Sequence, residues 1–442
     1  MPMPTTPIEA LEISSRSLRF KMNMVVKCAE IFGFWDRPDQ KAAASFEEMA
    51  LRDKFYWVYK CMNPITRVEK GERVEDLLAV DSRIVGLPQD FAKDSRLTLG
   101  AAGDLFHTHG LEHSKDILFE NVADLLFDQA VSCANFESPI TEQALQEEVI
   151  SDEAAPIECC SRDQFDIIKG HKDKRFTVLN TTNNHMFDMG VEGLETTQRI
   201  FSEEGILGIG TNSKPDEFGK GKVLVKDGIK IGFAAATYGL NGHVMPAEES
   251  HRINVAKMLS KYAEPDLDIL KRQIDDCKDQ GCDFIIASLH WGYEFEFFPR
   301  RRQVDIAHTL IEWGADAILG HHPHVVQPIE YYRTRRDPNR IAVIAYSLGS
   351  LNWVFSAPYL ALSAILNLTL AKGRLGGQDR TYIETARVTP VFRSSIDHDG
   401  KILTRIEKLA DHLDGRSASH PQDYIAELKR YADLALGETG NS

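Results

Sequence analysis

The sequence has no surplus of positive charge. Across 442 residues, 51 Lys and Arg stand against 66 Asp and Glu, a formal net charge of −15. A chain whose work is to coat nucleic acid or an anionic membrane needs a dominant positive field, so neither is expected as a partner. Cysteine is scarce and unpatterned. Cys28, Cys61, Cys133, Cys159, Cys160, Cys277 and Cys282 are odd in number, irregular in spacing and include no Cys-x-x-Cys. They suggest neither a disulfide framework nor a zinc knuckle, and point to a reducing compartment. Long apolar runs are missing too. The opening Met-Pro-Met-Pro-Thr-Thr-Pro has no basic stretch leading into an apolar one, and the best apolar run near it, residues 22–35, is interrupted by Lys27 and Glu30. No signal peptide or membrane span is read there, and a cytoplasmic location is expected.

What is present is an ordinary globular composition, 43% hydrophobic and 26% charged, which excludes disorder, collagen and a simple coiled coil as descriptions of the whole. The length admits up to about three domains. Residues 1–95 are rich in helix formers and aromatics and carry 14 basic against 15 acidic side chains, so nearly all the net negative charge lies beyond them. This segment reads as a helical appendage, with a helix over 45–60 capped by Ser45 and an end at Gly86-Leu87-Pro88. Beyond it, apolar runs at 97–102, 130–136, 176–179, 229–236, 284–289, 317–319 and 341–347 read as buried strands. They alternate with helical faces such as Val304, Ala307, Leu310 and Ile311. The pattern predicts an α/β domain over 96–395, then a C-terminal helix and polar tail over 396–442. The acidic stretch 142–160, with Glu147, Glu148, Asp152, Glu153 and Glu158, reads as a solvated loop.

Five expected strands end on ligand-type residues: Gly103-Asp104, Asn135-Phe136-Glu137, Asn183-Asn184-His185, Leu289-His290 and Gly320-His321-His322-Pro323-His324. In an open α/β sheet, ligands bind at the carboxyl ends of the strands, so residues far apart in sequence can converge there. Carboxylates, an amide oxygen and imidazoles together suit Mn, Fe, Co or Zn better than Ca or Mg. The absence of cysteine among them argues against a structural zinc site. Taken singly, Asp104 reads equally as a cap, Asn184 as an Asx turn and His290 as a core histidine. Three imidazoles behind one buried strand are harder to house without a partner.

In this order stand Gly-Asp, Asn-Phe-Glu-Ser-Pro, Asn-Asn-His-Met-Phe-Asp, Ser-Leu-His-Trp-Gly, Gly-His-His-Pro-His and Ala-Tyr-Ser-Leu-Gly-Ser, and the resemblance they carry covers about 97–391. The set resembles the CapA family, named for poly-γ-glutamate capsule biosynthesis, within the calcineurin-like metallophosphatase superfamily. The resemblance implies a four-layer α/β/β/α sandwich with the helical appendage, and two divalent metal ions (Mn, Fe, Zn or Co). It implies Asp104 as the first-strand ligand, Glu137 as the bridging carboxylate, Asn184 on the second metal, His290 as the single histidine ligand, and His322 with His324 as the closing pair. His321 is the alternative if the pair is shifted by one. It further implies His185 facing the substrate and Asp188 orienting it. A carboxylate at i+3 in a turn can reach that imidazole and hold it protonated, ready to stabilise negative charge or protonate a leaving group. Many superfamily members have Asp-x-His at the first motif, where this sequence has Phe106. His107 or His109 is then the candidate to complete the first site; if neither binds, the alternatives are a weak first metal and a mononuclear enzyme.

Two ions about 3.5 to 4 Å apart make hydroxide available near neutral pH and clamp the oxygens of the group under attack. The expected activity is hydrolysis of a small or medium anionic substrate, a phosphoester first. Alternatives are an amide bond of a γ-glutamyl-type or cyclic amide substrate, and a non-catalytic metal-bound accessory role in capsule polymer biosynthesis. Arg300 and Arg301 are the candidate anion contacts, because a guanidinium pairs well with carboxylate or phosphate, with a solvated helix start as the alternative reading. The expected partner is a small or oligomeric anionic substrate, with homo-oligomerisation left open.

Overall fold

The computed structural model describes residues 4–12, 15–73, 84–143, 150–151, 156–414 and 420–437. After a single helical turn at Pro7–Ala10 come two longer helices, α1 (Arg16–Phe32) and α2 (Leu51–Met62). Strands β1 (Ala92–Leu105), β2 (Val131–Phe136), β3 (Val178–Asn180) and, after helix α3 (Gly190–Glu204), β4 (Leu207–Ile209) pair in parallel. A second series follows: β5 (Lys222–Lys226), β6 (Ile229–Thr237), α4 (Asp268–Asp279), β7 (Phe284–His290), α5 (Arg301–Trp313), β8 (Ala317–His321), β9 (Ile329–Arg333) and β10 (Ile341–Ala345). The chain returns through β11 (Leu362–Leu375), β12 (Gln378–His398) and β13 (Lys401–Lys408), then ends its described part with α6 (Gln422–Leu436). The strands form a seven-stranded sheet ordered β13-β12-β11-β1-β2-β3-β4 and a six-stranded sheet ordered β9-β10-β8-β7-β6-β5.

Alternation along the strands explains how the sheets stack. Leu97, Leu99 and Ala101 of β1 share one buried cluster with Ile231 and Phe233 of β6 and Ile286 of β7, which places the sheets face to face. The opposite face of the six-stranded sheet, through Ile285, Ala287 and Leu289, packs on Ile274 of α4 and Leu310 of α5. Ala134 and Phe136, on the other face of the seven-stranded sheet, pack on Phe165, Ile200 and Phe201. Helix, sheet, sheet and helix give the four-layer α/β/β/α sandwich.

All seven expected strands lie in or overlap strands of the structure. Three features differ from expectation. The sheet runs past residue 395, because β12 ends at His398 and β13 pairs with it; polar and charged residues interrupt both strands, so they offer no continuous apolar run. The helix expected from Ser45 begins instead at Leu51. Ser45 makes no capping bond and precedes a short 3₁₀ turn, while the Asp53 carboxylate accepts the Ala50 N–H at 2.9 Å at the true helix start. In 142–160, Glu158 is buried rather than solvated; Glu147, Glu148, Asp152 and Glu153 lie outside the described residues.

The N-terminal segment is built into the core. Met22, Val26, Tyr56 and Tyr59 are buried in the same cluster as Phe295 and Phe297. Ile65 bonds through its backbone to Phe295 and Phe297 at 2.9 and 2.8 Å. Beneath this contact, Glu296 accepts from Tyr56 Oη (3.0 Å), Lys60 Nζ (3.3 Å), and Arg300 Nε and Nη2 (3.0 and 2.8 Å). Burial works to push the Glu296 carboxyl up, but Arg300 and Lys60 outweigh it and hold it below its ordinary value. All seven cysteines are free. Among the described residues, no helix is long and apolar enough to cross a membrane.

Removing one partner of a buried charge cluster leaves an uncompensated charge, at a cost of about 3 kcal/mol or more. Arg300→Met is expected to lower the chemical-denaturation midpoint accordingly, and adding Glu296→Gln to recover part of the loss. An unchanged midpoint in the single variant would contradict this account of the docking contact.

Candidate metal centre

The side chains converge because their strands end together. In register, Asp104 of β1 lies opposite Asn135 of β2, and Asn135 opposite Asn180 of β3; in the other sheet His290 closes β7 opposite His321 of β8. One loop, following β10, stitches the two edges. Gly349 O accepts from Asp104 N at 3.0 Å, and Leu351 N donates to Asp104 O at 2.8 Å. That approach needs glycine: a Cβ on Gly103 would lie 1.8 Å from Gly349 O, and one on Gly320 would lie 1.9 Å from Tyr346 O. Each glycine immediately precedes a site residue.

Two groups of candidate ligand atoms result. Glu137, His290 and His322 form one; Asp104, Glu137 and His324 form the other; within each, the atoms lie within 4.8 Å of one another. Glu137 belongs to both. All five residues are buried. His290 Nε2 is 3.3 Å from Glu137 Oε1, and Asp104 is flanked by His321 Nδ1 at 3.3 Å and His324 Nδ1 at 3.4 Å. Asn135 donates from Nδ2 to both Asp104 Oδ1 (3.0 Å) and Glu137 Oε2 (3.2 Å), and is itself held by Asn180 at 2.9 Å. Sequence reasoning placed Asn135 beside the site without a role. A polar side chain in a fully buried strand is the signal that could have supplied one.

The electrostatics fit a cation. Buried and with no hydrogen-bond partner stand Glu137 Oε1, His290 Nε2, His321 Nδ1, both ring nitrogens of His322, and Asn184 Oδ1. Burial and the neighbouring Asp104 charge push the Glu137 carboxyl well up. Burial pushes the His290 and His322 imidazoles well down, so they are neutral with lone pairs to offer. Burial also opposes the Asp104 charge, but the imidazoles of His321 and His324 beside it more than offset this and hold the carboxyl below its ordinary value. Orphaned acceptors of mixed oxygen and nitrogen type, closed off from water, are what a divalent ion satisfies.

Beside this centre, His185 Nδ1 lies 2.7 Å from Asp188 Oδ2, the i+3 contact expected. Asp188 also receives Glu158 N–H at 2.9 Å and lies 3.4 Å from His243 Nε2. Burial would raise its carboxyl, yet His185 and His243 hold it below its ordinary value. Asn184 donates to Asn241 Oδ1 at 3.1 Å, and Asn241 Nδ2 reaches His185 Nε2 at 3.4 Å. Asn241 and His243 carried no signal in the sequence.

Three expected residues fall elsewhere. His109 is 62% exposed in its side chain and pairs with Glu112 at 3.3 Å; neither it nor His107, which burial pushes down to about 4, joins the two groups. At the position of the expected histidine, Phe106 stacks on Trp353 at 5.4 Å and lies 5.6 Å from the His324 ring. Arg300 is not available to an anion, being spent on Glu296, on Asp39 O at 2.9 Å and on the Tyr293 ring at 3.5 Å. Arg301 is exposed and pairs with Asp305 at 2.9 Å along α5. A run of arginines that opens a helix fans out around its axis, so the run does not act as one anion site.

A family model described as bacterial capsule synthesis protein PGA_cap matches residues 98–355. The chain belongs to that family. It is 31% identical over 279 residues to the PGA biosynthesis protein CapA of Bacillus subtilis (strain 168), covering 62% of this chain and 67% of the relative. It is 28% identical over 281 residues to the capsule biosynthesis protein CapA of Bacillus anthracis, covering 61% and 62%. A probable polyglutamine synthesis accessory protein of Mycobacterium tuberculosis (strain ATCC 25618 / H37Rv) is 28% identical over 159 residues, 35% of this chain and 41% of that one. The chain thus spans about two thirds of the length of the two CapA relatives. Among solved structures, the calcineurin-like phosphoesterase YfkN from Bacillus subtilis aligns at 14% identity over 77% of this chain and 98% of that one, with a TM-score of 0.38. The PGA_cap region contains every residue of the two ligand groups and the His185–Asp188 pair.

Because Glu137 is common to both groups, Glu137→Gln is expected to abolish tight uptake of every divalent ion, whereas His324→Ala leaves the group around His290 and His322 intact. Metal analysis of dialysed protein after loading with Mn²⁺ or Zn²⁺ checks this. Equal retention by both variants would show that Glu137 is not shared.

Proposed function

We propose that the chain is a divalent-metal-dependent hydrolase with a dinuclear centre, acting on a small or oligomeric anionic substrate, a phosphoester first. The observation that carries this reading is the pair of ligand groups sharing Glu137, with the His185–Asp188 pair beside them. Asp104, Glu137, Asn184, His290, His322 and His324 would hold the ions, with His321 on the far side of Asp104. Bound divalent ions would supply Lewis-acid stabilisation of substrate oxygens and a water acidic enough to ionise near neutral pH.

The chain's own residues do the rest. Asp188, held as a carboxylate by its two imidazole neighbours, takes the Nδ1 proton of His185 in a hydrogen bond and fixes that ring's orientation. The Nε2 edge then points away from Asp188, near Asn241, and is the edge that can donate a proton to a departing group. His185 directly follows Asn184 in the chain, which brings the pair beside a residue that would hold an ion. The pair is the feature a purely structural metal site would not need.

A second reading has its own support in the relatives' names, which refer to PGA biosynthesis, capsule biosynthesis and polyglutamine synthesis. The bond cleaved or transferred is then a γ-glutamyl-type amide. Both readings place the same residues around the scissile bond. A panel of phosphomonoesters, phosphodiesters, γ-glutamyl amides and cyclic amides, assayed with Mn²⁺ and again after chelation, separates them. Metal uptake without turnover on any of these would favour the accessory role. His185→Asn is expected to keep the metal content while turnover falls at least about a hundredfold, the lower end of what a general acid–base group contributes. Unaltered turnover in that variant would remove His185 from the mechanism.

A further inference from the structure

His324 presents its two ring nitrogens to different surroundings. Nδ1 faces the candidate centre, 3.4 Å from Asp104 Oδ2 and 3.0 Å from Ser350 Oγ. Nε2 faces the other way, 3.7 Å from Glu294 Oε1. The other oxygen of Glu294 accepts the indole N–H of Trp57, on α2, at 2.6 Å. A histidine that ligates a metal through one nitrogen typically directs its other N–H at a carboxylate, which fixes the tautomer, aims the ring and raises its basicity. We propose that Trp57 is a positioning residue of the metal centre, acting through Glu294 on His324.

The backbone supports the same connection. Phe295, His322 and His324 are non-glycine residues with φ of 61, 95 and 57°, conformations that cost energy and persist only when the surroundings impose them. Phe295 N donates to Pro323 O at 2.9 Å, which ties the Glu294 loop to the turn carrying both histidines. Ile65 then brackets Phe295 by bonding to its carbonyl and to the next residue but one. Trp57 itself lies 6.1 Å from the Phe295 ring. The N-terminal segment therefore grips this loop by its backbone and by its acid. Glu294 is only 21% exposed in its side chain, so the indole bond holds it turned inward instead of toward solvent. Trp57 and Ile65 lie outside residues 98–355, so the grip comes from beyond the PGA_cap region.

This inference depends on the reading that the centre binds divalent ions. Its test is calorimetric titration of the metal-free full chain with Mn²⁺, for the wild type, Trp57→Phe, Glu294→Ala and the double variant. Loss of a carboxylate partner typically costs a ligating histidine ten- to a hundredfold in metal affinity. Trp57→Phe and Glu294→Ala are each expected to weaken the ion near His324 by about tenfold or more, leaving the ion near His290 unaffected. The double variant should bind no more weakly than Glu294→Ala, because Trp57 acts only through that acid. A general packing defect would instead multiply the two losses and lower the thermal midpoint of the metal-free protein. Wild-type affinity in Trp57→Phe, or multiplied losses in the double variant, would overturn the inference while leaving the centre standing. No Mn²⁺ binding by the wild type would take down both. Should Trp57→Phe not fold, Glu294→Ala decides alone, and wild-type affinity there is the overturning result.

Discussion

A carboxylate shut away from water must either find positive charge or give up its own, and the structure is organised around that constraint at Glu137. The side chain is inaccessible to solvent, one oxygen has no hydrogen bond, and Asp104 sits close enough to raise its proton affinity further. No lysine or arginine approaches it among the described residues. What does approach is a set of imidazoles that burial keeps neutral. Such a cluster is expensive as pure architecture and becomes favourable when a divalent cation joins it.

The scaffold is shaped to assemble this cluster from two sheets. Asp104 and Glu137 come from one, and His290, His322 and His324 from the other, so the sheets must meet at their carboxyl ends with little tolerance. The loop at 346–351 does this, pressing against Gly103 and Gly320 where any side chain would collide with a carbonyl. Asn135, reaching Asp104 and Glu137 together, fixes the spacing of the two acids from within the sheet. The His185–Asp188–His243 network is built from the loop after β3, which carries His185 and Asp188, and the loop after β6, which carries Asn241 and His243. Most of the candidate ion ligands thus lie on other segments than the His185–Asp188 pair, and Asn184, next to His185, is where the two meet.

Most of this was legible because buried parallel strands write themselves as apolar runs, and site residues punctuate those runs at their ends. Strands β12 and β13 were not legible because polar and charged residues interrupt them throughout, while β11, mostly buried, is a strand that sequence reasoning simply missed. Arg300 misled because its partner, Glu296, lies one turn away in a tract that reads as aromatic; the buried ion cluster they form is tertiary, completed by Lys60 and Tyr56 from far upstream. His109 misled through spacing alone. The position two after Asp104 is filled by Phe106, whose ring packs against both Trp353 and His324, and the chain then turns His109 outward to Glu112. Glu294 gave no signal at all, because its meaning comes from Trp57, 237 positions away.

That separation changes how the first 95 residues are to be regarded. Glu294 and Glu296 sit either side of Phe295 in one short turning tract and meet different partners: the first His324 and Trp57, the second Lys60, Tyr56 and Arg300. Phe295 between them is held in a left-handed conformation by Pro323 on one side and Ile65 on the other. One tract therefore serves as the seat of the N-terminal helices and as the outer wall of the candidate centre. A disturbance of either is felt by the other through three residues of backbone. Composition alone made the segment look like a detachable, nearly neutral appendage. Its few buried charges and one indole N–H are spent where the rest of the molecule most needs its acids held in place.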